Sequence, residues 1–321
     1  MSAVGCTCHC GTPSNILWSE ECTIQTLLIG DVGVIQEVAI NLGQVAGSSW
    51  RPALAGVALA SPYLSSWRLK LVAGTDAFGD QFVRAAGQAA LGSSVKQVAK
   101  WTPAGYSAWQ TSPTGVGLQH HTLTEPGDTT LVEEGPTAPV PQRCVIATSR
   151  LCTEKLLLAH QYLQAGCQEV VIVAESVSQQ VFMAASPHLR GATWYLPEQQ
   201  VSTLGFALTQ HIGFMSAWAD ERASLGVGVL HGHGCDVVAV THNGLAVSPA
   251  LWPQKDHPLA QSGTPWRPAE DHYLLAFYML AATYDERGVK RHPADVYRMA
   301  AAELAQGRRS WFEALNRQLL I

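Results

Sequence analysis

The chain has 321 residues, 47% of them hydrophobic and 14% charged, with a formal net charge of −5. That length allows a large core and two subdomains, while the acidic balance excludes a broad basic footprint for nucleic acid. No run of about 18 uncharged apolar residues occurs, so no membrane span is expected. The scarcity of charge points instead to surface covered in a homo- or hetero-oligomer. The start of the chain lacks the basic region and apolar core of a secretory signal, so a cytoplasmic location is expected. The eight cysteines are then expected to be mostly free thiols.

Residues 1–20 carry Cys, Gly, Ser and Pro and read as a flexible tail. Residues 23–29 read as a strand, Gly30, Asp31 and Gly33 as a turn, and residues 34–42 as helix or strand. A strand over 69–73 is followed by an amphipathic helix over 80–91, with Phe82, Val83, Ala86 and Ala90 on one face. Residues 116–123 and 129–132 flank Glu125-Pro126-Gly127-Asp128, a hairpin signal. Prolines and glycines crowd residues 102–142, which places a subdomain boundary near 140, between 21–140 and 141–321.

The most informative segment is 143–178. Val145, Ile146 and Ala147 form an apolar run, and Thr148, Ser149 and Arg150 break it. Leu151, Leu156, Leu158, Tyr162 and Leu163 then recur near helical spacing. Gly166 ends that helix, because the residue past a helix end often adopts a left-handed conformation. The run 170–174 is too continuous for a half-exposed strand and suits a buried parallel one. Further on, 205–219 reads as helix, 226–230 and 237–241 as short strands, 249–268 as a Pro-rich loop, and 269–286 and 293–319 as helices. Strands alternating with helices predict a layered α/β/α fold with a mixed, largely parallel sheet, ending in two helices.

The turn 148–150, with Cys152 just inside the helix, offers Ser149 and Cys152 as nucleophiles near a helix N-terminus, whose N–H groups favour an anion. The plainer role for Thr148 or Ser149 is to cap the helix. His231, His233 and Cys235 follow the short strand predicted at 226–230, which would put alternate side chains on one face. Imidazole and thiolate are good zinc ligands, with Asp236 and His242 in reach as further partners. Cys6, Cys8 and Cys10, with His9, form a second soft-ligand cluster, and Cys22 or His9 would complete it. Gly30-Asp31-Val32-Gly33 lacks a full phosphate-binding motif and reads as a turn.

The strand, reactive turn and glycine-terminated helix at 147–166, followed by the buried strand 170–175, resemble the nucleophile helix of the thiolase and ketosynthase superfamily. Leu230-His231-Gly232-His233-Gly234 resembles that family's histidine motif, and Asp271-His272 before an apolar helix stands where its second histidine would be. The resemblance spans about 35 residues. It implies a thiolase-like fold and an acyl-thioester-handling protein, with Ser149, Cys152, His231 and His272 as the catalytic set. It also implies an acyl carrier protein or a ketosynthase subunit as partner. Because Ser149 rather than a cysteine falls at the nucleophile position, the expected role is that of a helper subunit in fatty acid or polyketide biosynthesis. The alternatives are a metal-dependent hydrolase centred on His231, His233 and Cys235, with zinc, or a non-catalytic interaction subunit.

Overall fold

Strands that are apolar at every position need cover on both faces, and the architecture supplies it. The structure, a computed structural model, describes residues 25–39, 44–52, 67–88, 95–98, 104–112, 115–120, 136, 139–210, 219–241, 244–248, 251, 268–285 and 287–305. The strands are β1 (Thr26–Ala39), β2 (Gln44–Pro52), β3 (Trp67–Gly74), β4 (Val95–Val98), β5 (Ala104–Ser112), β6 (Gly115–His120), β7 (Arg143–Leu151), β8 (Glu169–Val177), β9 (Ala192–Pro197), β10 (Asp236–Thr241) and β11 (Gly244–Val247). The helices are α1 (Ala77–Gln88), α2 (Thr153–Gln164), α3 (Gln179–Ala185), α4 (Glu198–Thr209), α5 (Ala219–Gly232), α6 (Pro268–Ala282) and α7 (Pro293–Ala305).

The main sheet runs β11-β10-β9-β8-β7-β1-β3-β4. Every pair in it is parallel except β10 with β11. Its side chains alternate between two cores. Leu28, Val145, Ala147, Val171 and Val173 point to one face, where Phe82 of α1, residues 275–280 of α6, and Val296 and Tyr297 of α7 cover them. Ile29, Ile146, Ile172 and Trp194 point to the other, under Leu156 and Tyr162 of α2, Phe182 of α3, Val201 of α4 and Val227 of α5. This is the expected layered α/β/α arrangement with a mixed, largely parallel sheet.

β1 belongs to two sheets. Residues 26–31 pair in parallel with β3, and residues 26–30 pair in parallel with β7. Farther along, residues 32–39 pair antiparallel with β2 and residues 34–39 pair in parallel with β5, which itself pairs with β6. The expected turn at Gly30-Asp31-Val32-Gly33 is therefore strand, and the chain runs straight through it into the smaller sheet. β6 pairs antiparallel with β5 upstream, and the second arm of the expected hairpin, 129–132, lies outside the described residues.

Other elements differ from expectation for local reasons. β7 continues to Leu151, with Arg150 and Leu151 still paired to Ser176 and Val177 of β8, so 148–150 is not a turn. The cap of α2 is Cys152, in extended conformation and without a side-chain cap bond, and not Ser149 or Thr148. Residues 226–230 are helix, with Val227 and Leu230 buried one turn apart. The helix expected at 205–219 begins earlier, at Glu198, and ends at Gln210 with φ 51°. Gly166 takes φ 92°, as the helix stop required.

Candidate functional site

The chain leaves β1 outward to β3 and β4, then returns to the opposite side of β1 as β7 and proceeds through β8, β9 and β10. The winding therefore reverses between β1 and β7. In open α/β sheets the crevice outside the carboxyl ends of the strands at such a reversal is where ligands bind. Three features converge on it here. β1 passes beyond its partners after Asp31 and builds the smaller sheet on that side. β2 comes up against both β7 and α6. The first turn of α6 points toward the same end.

The direction of α6 follows from one contact. Arg143 opens β7, at the amino end of the sheet, and its Nη1 donates to the carbonyl of Leu280 at 2.7 Å. The last turn of α6 thus lies at the amino end. Asp271 and His272 stand nine and eight residues earlier, which at 1.5 Å per residue is about 12–14 Å along the helix from that end. Asp31 on β1 and Asp271 on α6 are among the acidic positions that the topology brings to this crevice. Asp31 was not among the candidates above, because a Gly-Asp-Val-Gly string reads as a turn when its pairing partners are unknown.

Below the crevice lies a buried polar pair. Lys155 of α2 donates from Nζ to Oγ1 of Thr148 on β7, and both side chains are buried. The bond ties the first turn of α2 to the end of β7 and so fixes the segment 149–152 that borders the crevice. Cys152 is half-buried, and burial pushes its thiol above the ordinary value; the Lys155 backbone N–H works against that rise. A thiol whose pKa is raised is a weaker nucleophile at neutral pH.

The four residues of the expected catalytic set do not meet. Ser149 on β7, Cys152 and His272 belong to the carboxyl end of the sheet. His231 lies in the last turn of α5, which leads into the amino end of β10. A strand of six residues at about 3.3 Å each separates the two edges by roughly 20 Å.

The His231, His233 and Cys235 set changes for a related reason. His231 is helical, His233 sits in the following turn, and only Asp236 begins the strand, so the alternation that would gather them is absent. His231 Nδ1 lies 3.3 Å from Asp236 Oδ1, and the His233 ring meets Phe182 edge-on at 6.3 Å. Cys235 is buried, and that burial, reinforced by Asp236, pushes its thiol up to about 12. Among the described residues no group of three or more His, Cys, Asp and Glu is placed to hold a metal ion. Cys6, Cys8 and Cys10 lie outside the described residues. Among the described residues no helix is long and apolar enough to cross a membrane.

No family model and no curated protein matches the sequence. Solved structures do match in shape. A ribokinase from Thermotoga maritima aligns with a TM-score of 0.51 at 11% identity, over 91% of this chain and 99% of its own. A fructokinase double mutant from Vibrio cholerae, with fructose, ADP and potassium bound, aligns at 0.55 and 13% identity, over 92% of this chain and 98% of its own. Phosphofructokinase-2 from Escherichia coli, in its tetrameric inhibited form, aligns at 0.50 and 13% identity, over 91% and 99%. The chain has the fold of these kinases. The thiolase-like expectation is thereby corrected, and with it the acyl-thioester function, the acyl carrier or ketosynthase partner and the biosynthetic role built on it. The 35 residues that carried the resemblance are a βαβ unit of the kind any parallel α/β sheet contains.

Proposed function

We propose that the protein is a phosphotransferase that moves a phosphoryl group from a nucleoside triphosphate to a hydroxyl of a small polyhydroxy substrate. The reaction would take place in the crevice at the carboxyl ends of β1 and β7. The observation that carries this reading is the reversal of winding at β1 and β7, with the smaller sheet built from β1 on that side, in a fold shared with sugar kinases. Phosphoryl transfer asks a protein mainly for positioning and electrostatics. A carboxylate to take the hydroxyl proton is the one proton-transfer group it needs, and Asp271, in the first turn of α6, is assigned that role. The smaller sheet would cover the substrate and exclude water. The reading includes an oligomer, as in the tetrameric form of the Escherichia coli phosphofructokinase-2, and a cytoplasmic location.

One observation favours a second reading, a protein that keeps the kinase fold without the reaction. Glu270 and Asp271 are adjacent in the first turn of α6. Carboxylates there offset the positive pole that would otherwise attract phosphate. Calorimetric titration with Mg-ATP and Mg-ADP separates the two. The first reading expects a dissociation constant in the range of about 1 μM to 1 mM, typical of enzyme substrates, unchanged by His231→Ala at the opposite edge. Heat of binding absent up to several millimolar nucleotide would leave the second reading standing.

A further inference from the structure

Helix α6 carries the crevice residues at one end and is held by two arginines at the other. Six consecutive residues, 275–280, are buried, so the helix is apolar all round and packs between the sheet and α7. Apolar burial is non-directional. It keeps such a rod inside the layer but fixes its position along its own axis only weakly. Directional bonds must do that, and among the described residues they lie at the C-terminal end. The last carbonyls of a helix lack intrahelical partners. Here Arg143 Nη1 takes that of Leu280 at 2.7 Å, Thr283 Oγ1 that of Met279 at 2.8 Å and Arg291 Nη1 that of Ala282 at 2.8 Å, and Arg291 Nη1 also holds the carbonyl of Tyr284, just past the helix, at 2.6 Å.

Arg143 is itself immobilised. Its Nε donates to Glu169 Oε2 at 2.9 Å, which also accepts from Tyr284 at 3.0 Å, while Lys290 lies 3.7 Å from Oε1 of the same carboxylate. The guanidinium stacks near Tyr284 at 4.6 Å and Trp67 at 5.8 Å. β3, β7, β8 and the α6–α7 connection therefore all bear on one carbonyl of α6. Two cations at the negative pole of the helix also suit its dipole.

We propose that Arg143 and Arg291 are positioning residues that set the axial position of α6, and through it the position of its first turn, which carries Asp271, at the crevice. The proposal rests on the phosphotransferase reading for its functional consequence but not for its structural one. A helix transmits axial displacement along its length, and an error near 1 Å at reacting groups costs about a hundredfold in rate.

The test pairs amide hydrogen exchange of the full-length protein with kinetics for Arg291→Ala, Arg143→Met and Arg143→Lys. The proposal expects exchange to quicken about tenfold or more both over 279–284, where the bonds are lost, and over 268–274, at the far end of α6. Phosphotransfer is expected to lose kcat by about tenfold or more with the nucleotide KM changed less than twofold, and Arg143→Lys should recover part of both. Faster exchange confined to 279–284, or a KM change without a kcat change, overturns it. If Arg143→Met does not fold, Arg291→Ala, whose side chain is half-buried, decides. If the wild-type protein transfers no phosphate, the functional reading fails, and the exchange pattern alone still decides the axial one.

Discussion

Gly226 of α5 faces Val201 of α4 so closely that a Cβ on the glycine would lie 2.6 Å from the Val201 carbonyl oxygen and 2.7 Å from its Cγ1. The glycine is a contact requirement, since α4 and α5 can approach to this distance only without a side chain there. Gly228, two residues on in the same helix, has nothing within 4 Å of such a Cβ. Alanine should therefore act oppositely at the two positions. Gly226→Ala is expected to destabilise by about 1–3 kcal/mol through overpacking, and Gly228→Ala to stabilise by about 0.5–1 kcal/mol through helix propensity. Urea unfolding midpoints of the two variants measure this, and equal shifts of one sign would refute the close approach.

The Arg143–Glu169 pair yields a stability prediction apart from any activity. The arginine side chain is 3% exposed and the carboxylate 19%, so this is a largely buried ion pair. Removing one partner of such a pair leaves the other charge desolvated, at a cost of about 3–5 kcal/mol. Arg143→Ala is expected at the lower end of that range, because Glu169 keeps Tyr284 and Lys290. A loss under about 1 kcal/mol, the scale of surface pairs, would mean that water reaches the site.

Alkaline pH should weaken the fold. Burial pushes the Cys235 thiol up to about 12 from 9.0, and the thiols of Cys144, Cys152 and Cys167 upward as well. Above pH 9 the unfolded chain gives up these protons while the folded chain keeps them, so the unfolded state binds fewer protons and stability falls as pH rises. For Cys235 the loss accumulates between about pH 9 and 12, at no more than about 1.4 kcal/mol per pH unit. Urea midpoints at pH 7, 9 and 10.5 should decline, less steeply in Cys235→Ala. A flat profile would contradict the burial of these thiols.

The central part of the fold was legible in the sequence. The apolar runs at 145–147 and 170–174 were read as buried strands and lie in β7 and β8, and Gly166 marks its helix end by the φ it needs. Residues 226–230 were misread because Gly-Val-Gly-Val-Leu is short and apolar, and such a run carries no period by which helix and strand differ. The turn expected at Gly30-Asp31 failed because a strand that passes from one sheet into another is held by distant partners. The site was least legible. It follows from strand order, and no local pattern encodes that β7 returns beside β1. Ser149, expected in a turn, lies on β7, and His272, named only through the resemblance, lies on α6. His231 was expected to follow a strand and instead lies in the last turn of a helix, because 226–230 is helical.

The most direct measurement of the central claim is transfer of the labelled γ-phosphate of Mg-ATP to a panel of free sugars and sugar phosphates, with wild type and Asp271→Asn side by side. A phosphotransferase of this kind gives a labelled product with at least one member of the panel, reduced by about a hundredfold or more in Asp271→Asn, on the roughly 10²–10⁴ scale of general base catalysis. Wild-type protein that leaves every substrate unlabelled, or an Asp271→Asn variant that transfers at the wild-type rate, would contradict it.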